Sequence, residues 1–272
     1  MEKMNIMDSH LHSALSFDSS ENMENYIKQA KKNGDRYFIT TEHMDLESNL
    51  AGGLDLCPAF VIQQNTIKSL AEKYDINVLF GIEIGWRRDI HERNTEVAKS
   101  YPFDMIILAV HENEKGGDAF STLSEASNVD VAYNRYLELC YDAVSTFDDF
   151  DTFAHIDYML RYIGDTNLAN HEELLKKIFL KIIEKNKALE INSKLVPNPV
   201  AMERIEYVIS LYASLGGKKV TIGSDGHNLA YYKNGFRDTM ILLDKYGIKE
   251  LCQFIGRKEV RVPISLGGGK FR

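Results

Sequence analysis

The sequence is short of cysteine, of long apolar stretches and of positive charge, and each shortage removes a class of protein. Its three cysteines, Cys57, Cys140 and Cys252, are odd in number and far apart. They suit neither a disulfide framework nor a paired-thiolate zinc knuckle, so a reducing cytoplasm is the expected compartment. No run approaches the ~18 apolar residues of a membrane-spanning helix, and the N-terminus has no apolar signal core; neither export nor insertion is expected. Lys and Arg number 32 against 40 Asp and Glu, a formal net charge of −8. A long nucleic-acid groove needs clustered cations, so a small substrate fits this balance better. Internal repeats and interdomain linkers are also missing, and residues 1–272 read as one domain with a flexible tail over about 265–272. Oligomeric state leaves no mark on the sequence.

What is present is an alternating pattern. Seven short apolar runs, at 4–7, 36–41, 77–84, 104–110, 152–154, 188–191 and 219–223, are separated by segments of helical period. Several runs are continuous, as in Met105-Ile106-Ile107-Leu108-Ala109-Val110, the pattern of strands covered on both faces. The helices announce their ends: 21–32 stops at Asn33-Gly34, another starts at Pro58, Asn170 and Glu173 resemble a capping box, and Asn198-Pro199 opens a helix closed by Gly216-Gly217. Tyr133, Tyr136, Leu137, Cys140, Tyr141 and Val144 keep one helical face and predict a core stripe. Repeated strand and helix imply parallel strands with right-handed crossovers, and seven or eight of them favour a barrel over an open sheet. Two polar stretches, 45–57 and 112–131, are long for loops and are lid candidates.

Six of the eight histidines stand at or just beyond the ends of these runs: His10, His12, His43, His111, His155 and His227. In a parallel barrel those ends share one rim, so side chains far apart in sequence converge there. His91 and His171 instead fall near helix starts, where a solvated or capping role suffices. Glu83 and Asp225 close apolar runs, where a carboxylate is costly to bury unless paired or metal-bound, and Asp18 follows His12 on a loop. Imidazole and carboxylate without thiolate suit Zn, Fe or Mn in a hydrolytic site. Asp8, Glu42 and Asp157 lie one or two residues from these positions and are either orienting carboxylates or ordinary surface charge.

Taken in order, Asp8-x-His10-x-His12, Thr41-Glu42-His43, Gly81-Ile82-Glu83, Val110-His111, Ala154-His155-Ile156-Asp157 and Ser224-Asp225-Gly226-His227 resemble the motifs of the PHP (polymerase and histidinol phosphatase) superfamily, most of all its monofunctional histidinol-phosphatase branch. The resemblance implies a distorted (β/α)7 barrel carrying three divalent metal ions. It implies His10, His12, Glu83 and Asp225 around a first metal, Glu83 bridging to a second with His111 and His155, and Asp18, His43 and His227 around a third. Two positions depart from the pattern: Asp18 stands where relatives often have His, and Glu42 where Asp is usual.

The implied chemistry is hydrolysis of a small phosphate monoester, L-histidinol phosphate, by a hydroxide bridging two metals and without a phosphoenzyme. Arg161 and Lys194 follow the fifth and sixth runs and are the candidates for a phosphate clamp, ahead of Arg87 and Arg88. Alternatives are a phosphoesterase of the same superfamily acting on a nucleotide, an oligonucleotide end or phosphotyrosine, and a non-catalytic metal-binding module. A C–N hydrolase of the amidohydrolase type would be expected to end a middle strand with a carboxylated Lys; here Glu83 and His111 stand instead.

Overall fold

The computed structural model describes residues 5–113, 128–164 and 166–265. Six parallel strands, β1 (Tyr37–Ser48), β3 (Asn77–Gly85), β4 (Met105–Ala109), β5 (Thr152–Phe153), β6 (Ala188–Asn192) and β7 (Val220–Gly223), lie side by side in chain order. A short β2 (Leu54–Leu56) adds antiparallel to the outer edge of β1. Closure comes from the N-terminal segment rather than from a regular strand. Between β7 and β1, Ser9 N donates to Ile222 O (3.1 Å), His12 N to Gly226 O (2.9 Å) and Thr41 N to Leu11 O (3.0 Å), with one parallel bridge at Leu11–Gly226. The predicted strand over 4–7 is not seen among the described residues; instead the segment that follows it, residues 9–12, is tied in by scattered bonds rather than a ladder, and the result is the distorted seven-part barrel.

Period-two alternation assigns the strand residues to two layers. Ile39, Leu79, Met105, Ile107, Ala109, Ala154 and Ala188 point inward and pack on one another. Phe38, Phe80, Ile106, Leu108, Leu189 and Ile222 point outward into the helical layer, which explains why the runs read as continuously apolar. Helix α6 (Glu172–Glu184) illustrates the fit: Leu175, Ile178, Phe179 and Ile182 are its buried stripe, and each such side chain contributes on the order of 2 kcal/mol by leaving water. Helix α7 (Pro199–Ser214) begins as its sequence implies, with Asn198 accepting from the amides of Val200 and Ala201 and Pro199 in the first turn.

Other expectations are corrected. Helix α1 (Met23–Lys32) and α2 (Phe60–Tyr74) each start two residues late. The helical start before α6 is capped by Asn167 through a 3-10 turn, Leu168–His171, so Asn170 is not the cap. In α4 (Val129–Thr146) the stripe is buried except Tyr141, which is exposed. Stretch 45–57 is a hairpin, because β1 runs on to Ser48 and turns back through Gly52 and Gly53 at positive φ into β2. Most of the second lid candidate, 114–127, and the tail 266–272 lie outside the described residues. An unforeseen C-terminal hairpin, β8 (Glu250–Ile255) and β9 (Lys258–Pro263), places Cys252 and Phe254 against the inward apolar cluster and closes the barrel end opposite the histidines. Among the described residues no helix is long and apolar enough to cross a membrane.

Candidate metal centre

The inward rows that begin as apolar packing end as ligands. Two residues further along each row than the apolar layer come Thr41, His43 and Asp45 on β1, Gly81, Glu83 and Gly85 on β3, and His111 past β4. Strands β1 and β3 are longer than their apolar runs suggest, so His43 and Glu83 sit inside strands, as direct register partners, rather than beyond strand ends.

Glu83 is fully buried and is the hub. Its Oε1 lies 2.8 Å from His155 Nε2, 3.2 Å from His111 Nε2 and 3.2 Å from His10 Nε2, while Oε2 lies 2.8 Å from His43 Nδ1 and 3.5 Å from His12 Nε2. Asp225 Oδ1 is 3.5 Å from both His12 Nε2 and His227 Nδ1, and Asp18 Oδ2 is 2.9 Å from His227 Nε2 and 3.4 Å from His43 Nε2. The structure therefore brings together all nine predicted ligands: His10, His12, Asp18, His43, Glu83, His111, His155, Asp225 and His227. Asp225 achieves its aim from a left-handed backbone, φ 49°, a conformation uncommon for residues other than glycine and frequent at functional sites.

Three groups of donor atoms, His10-His12-Glu83, His43-Glu83-His111 and His12-His43-His227, lie within 4.8 Å of one another. Buried His10 Nε2, His12 Nε2 and Glu83 Oε2 make no hydrogen bond. Such atoms cost on the order of 1–3 kcal/mol each when left unsatisfied, more for charged groups, so they mark places for a cation. The donor set, imidazole nitrogens around a shared carboxylate, fits divalent metals of the Zn, Fe or Mn kind.

Electrostatics follow the same logic. Burial pushes the Glu83 carboxyl up, but the imidazoles of His10, His111 and His43 hold it well below the usual range. Burial likewise opposes ionisation of Asp225, which Lys194 and Arg161 overcome. His12 is held well below its ordinary value by burial and by neighbouring His43, and His155 is lowered chiefly by burial; both favour the neutral form that ligates.

Three residues not among the sequence candidates complete the arrangement. Glu190, in the middle of β6, accepts from His10 Nδ1 at 2.6 Å and from the His155 amide at 2.9 Å. Asp45 Oδ1 lies 2.9 Å from His111 Nδ1. Ser16 links Glu42 to the cluster: its Oγ donates to Glu42 Oε2 at 2.6 Å and lies 3.2 Å from His12 Nδ1. In each case the second ring nitrogen is occupied, which leaves Nε2 of His10, His111 and His12 directed toward Glu83. Glu190 has no histidine near it in sequence, whereas Asp45 lies two residues from His43, a spacing that could have marked it as it marked Asp8 and Asp157.

Asp8, Glu42 and Asp157 are buried and not surface charges. Asp8 accepts from Ser224 N (2.9 Å), Ser224 Oγ (2.5 Å) and Lys233 N (2.8 Å), fastening the turn that carries Asp225. Burial pushes its carboxyl up to about 6. Asp157 leaves Oδ1 without a hydrogen bond. His171 departs from the expected solvated role: it is buried, with Nδ1 2.9 Å from Asn134 Oδ1, and like His91 stands away from the cluster.

A pocket of about 280 Å³ opens over the ligands. Arg161, on the short helix α5 (Leu160–Ile163), donates from Nη1 to Asp225 Oδ2 at 2.5 Å and lies over the Tyr158 ring at 5.8 Å. Lys194 Nζ is 3.4 Å from Asp225 Oδ1. Both line the pocket, with Tyr158, Tyr162, Phe17, Leu50 and Leu56 forming its less polar wall and Glu112 its far end. Arg87 is committed to Glu112 and Asp89, and Arg88 is exposed and paired with Asp142, so neither competes for the phosphate role.

The PHP domain model matches residues 8–194. Over 263 residues the chain is 29% identical to a histidinol-phosphatase of Lactococcus lactis, covering 94% of this chain and 96% of that protein. A Thermotoga maritima protein named "Probable histidinol-phosphatase" is 29% identical over 264 residues, 95% of this chain and all (100%) of that one. The crystal structure of the Lactococcus lactis histidinol phosphate phosphatase with zinc, L-histidinol and phosphate superimposes with a TM-score of 0.85 at 26% identity, covering 95% of this chain and 100% of the other.

Proposed function

The chain belongs to the PHP domain family, and from that premise we propose that it is a metal-dependent phosphomonoesterase that converts L-histidinol phosphate and water to L-histidinol and phosphate. One observation carries the proposal: nine candidate ligands from the segments around one rim form a single cluster, five of its imidazoles on the buried Glu83, beneath a pocket that two cations, Arg161 and Lys194, also line. The relative whose structure contains zinc, histidinol and phosphate supports the choice of substrate.

Three divalent ions are assigned by residue. His10, His12, Glu83 and Asp225 would hold the first, Glu83, His111 and His155 the second, and Asp18, His43 and His227 the third. When bound, they supply Lewis acidity, lowering the pKa of water toward ~7 and neutralising phosphoryl oxygens. The chain's own groups do the rest. Glu83 stays ionised and fixes the spacing of the ligands around it. Glu190, Asp45 and the Glu42–Ser16 pair keep the ring nitrogens of His10, His111 and His12 in the ligating tautomer. Arg161 presents a buried, permanently charged fork to the phosphate, and Lys194 adds a point charge on the same side. The histidinol portion lies along Tyr158, Tyr162 and Phe17. No side chain is needed as a phosphoryl acceptor. The protein acts as one domain, on a small substrate, in the cytoplasm.

The deciding experiment measures phosphate release by the Mn- or Zn-loaded protein from L-histidinol phosphate, nucleotides, 5′-phosphorylated oligonucleotides and phosphotyrosine. A kcat/KM for histidinol phosphate at least tenfold above the others is the expected result. Preference for another ester would overturn the substrate, and turnover of none would leave a metal-binding module.

A further inference from the structure

We propose that Asp45 is the positioning residue of His111 and that residue 85 is glycine to make room for it. Asp45 and Gly85 are inward-facing neighbours on β1 and β3, one step beyond the register pair Met44–Ile84. Asp45 is buried, its Oδ1 is 2.9 Å from His111 Nδ1, and its Oδ2 is buried at the pocket wall without a hydrogen bond. A Cβ on residue 85 would lie 1.8 Å from Asp45 Oδ1, 2.8 Å from Asp45 Cγ and 3.1 Å from His111 Nδ1. No non-bonded pair of heavy atoms tolerates 1.8 Å, so any side chain there drives the carboxylate off the ring.

Backbone conformation gives no competing reason for the glycine. Gly85 is not among the residues at positive φ, and its neighbours in β3 are ordinary strand residues. A glycine inside a strand interior weakens the strand, and close approach of another group is the usual compensation. Here the group is the carboxylate that fixes which nitrogen of His111 carries the proton. With Nδ1–H donating to Asp45, Nε2 presents its lone pair toward Glu83. The inference rests on the metal reading of the site and on nothing about the substrate.

The test loads the full chain with Mn or Zn and follows metal content per chain and the rate of loss to a chelator, without substrate. Asp45→Ala is expected to release one ion about 10–100-fold more readily than the parent. Asp45→Asn, whose amide oxygen accepts the same hydrogen bond, should recover most of the retention. Gly85→Ala should reproduce Asp45→Ala, and the double variant should be no worse than either single one. The proposal is overturned by Gly85→Ala holding metal like the parent, by multiplied effects in the double variant, or by Asn behaving no better than Ala. If Gly85→Ala does not fold, the Asp45 pair decides: equal retention by parent, Asn and Ala variants overturns it. A parent that hydrolyses a different ester leaves this result untouched, whereas a parent that binds no metal removes the proposed function first.

Discussion

Arg161 reaches across the pocket to Asp225, Nη1 to Oδ2 at 2.5 Å, so the cation proposed to bind phosphate and a carboxylate of the ligand cluster share one hydrogen bond. The guanidinium is buried yet stays charged, since Asp225 and Asp157 more than offset burial. Removing it should weaken phosphate binding and the developing charge without dismantling the ligand set. Arg161→Ala is therefore expected to lower kcat/KM by about 10²–10³-fold with metal content unchanged, and Arg161→Lys to recover part of the loss. Steady-state kinetics beside elemental analysis checks this; unaltered kcat/KM would remove Arg161 from the clamp.

Glu83 faces five imidazoles and is the only carboxylate proposed to serve two metals. Glu83→Gln keeps the shape and loses the charge. We expect bound metal to fall by two ions per chain and phosphate release to fall below detection, read by elemental analysis after gel filtration. A variant retaining the parent's stoichiometry would contradict the bridging role.

Protons and metals compete for the same nitrogens. In the metal-free protein burial lowers His43, but Glu83 and Asp18 outweigh it and raise the ring to about 10; unfolded, it returns to ~6.5. The folded metal-free state thus holds the extra proton between these values. Its stabilising contribution is complete below ~6.5 and is lost as pH rises through about 10. Metal-free protein should therefore lose thermal stability across that window, and metal loading at pH 8 should release protons, seen as a binding enthalpy that depends on the buffer's ionisation heat. A buffer-independent enthalpy would contradict this.

The thiols divide by burial. Cys140 and Cys252 are fully buried, and burial pushes the Cys252 thiol up to about 12, whereas Cys57 is only half-buried. Ellman's reagent should titrate one thiol in the native protein and three in denaturant. Labelling of Cys252 in the native state would mean that the β8–β9 hairpin opens.

The centre was legible where chemistry sits at the end of an apolar run, as with His111, His155 and Asp225, because a polar residue closing such a run has few inexpensive explanations. Alternation also fixed the strand-and-helix plan. Glu190 was not legible, because its partner His10 is brought near only by the fold, and although Asp45 stands two residues from His43, its pairing with the distant His111 depends on strand register. The first run was expected to be a strand, but the segment after it is held by only three scattered backbone bonds and forms no regular one. The C-terminal hairpin escaped because β9 is largely exposed and β8 gives the inward cluster only Cys252 and Phe254 as buried members, too short a pattern to mark a strand.

The bridge between Leu11 and Gly226 joins the two ends of the ligand series. Its contact separation is close to the length of the barrel itself, so the proposed first and third cation sites, which draw on Asp225 and His227, cannot be completed on a chain that stops before β7. A nascent polypeptide that has emerged only as far as β6 would already carry His10, His12, Glu83, His111 and His155, yet would lack the turn that pins the first two in place. Capture of ions at those two proposed sites would thereby come late in folding, as a final latch on an already closed topology.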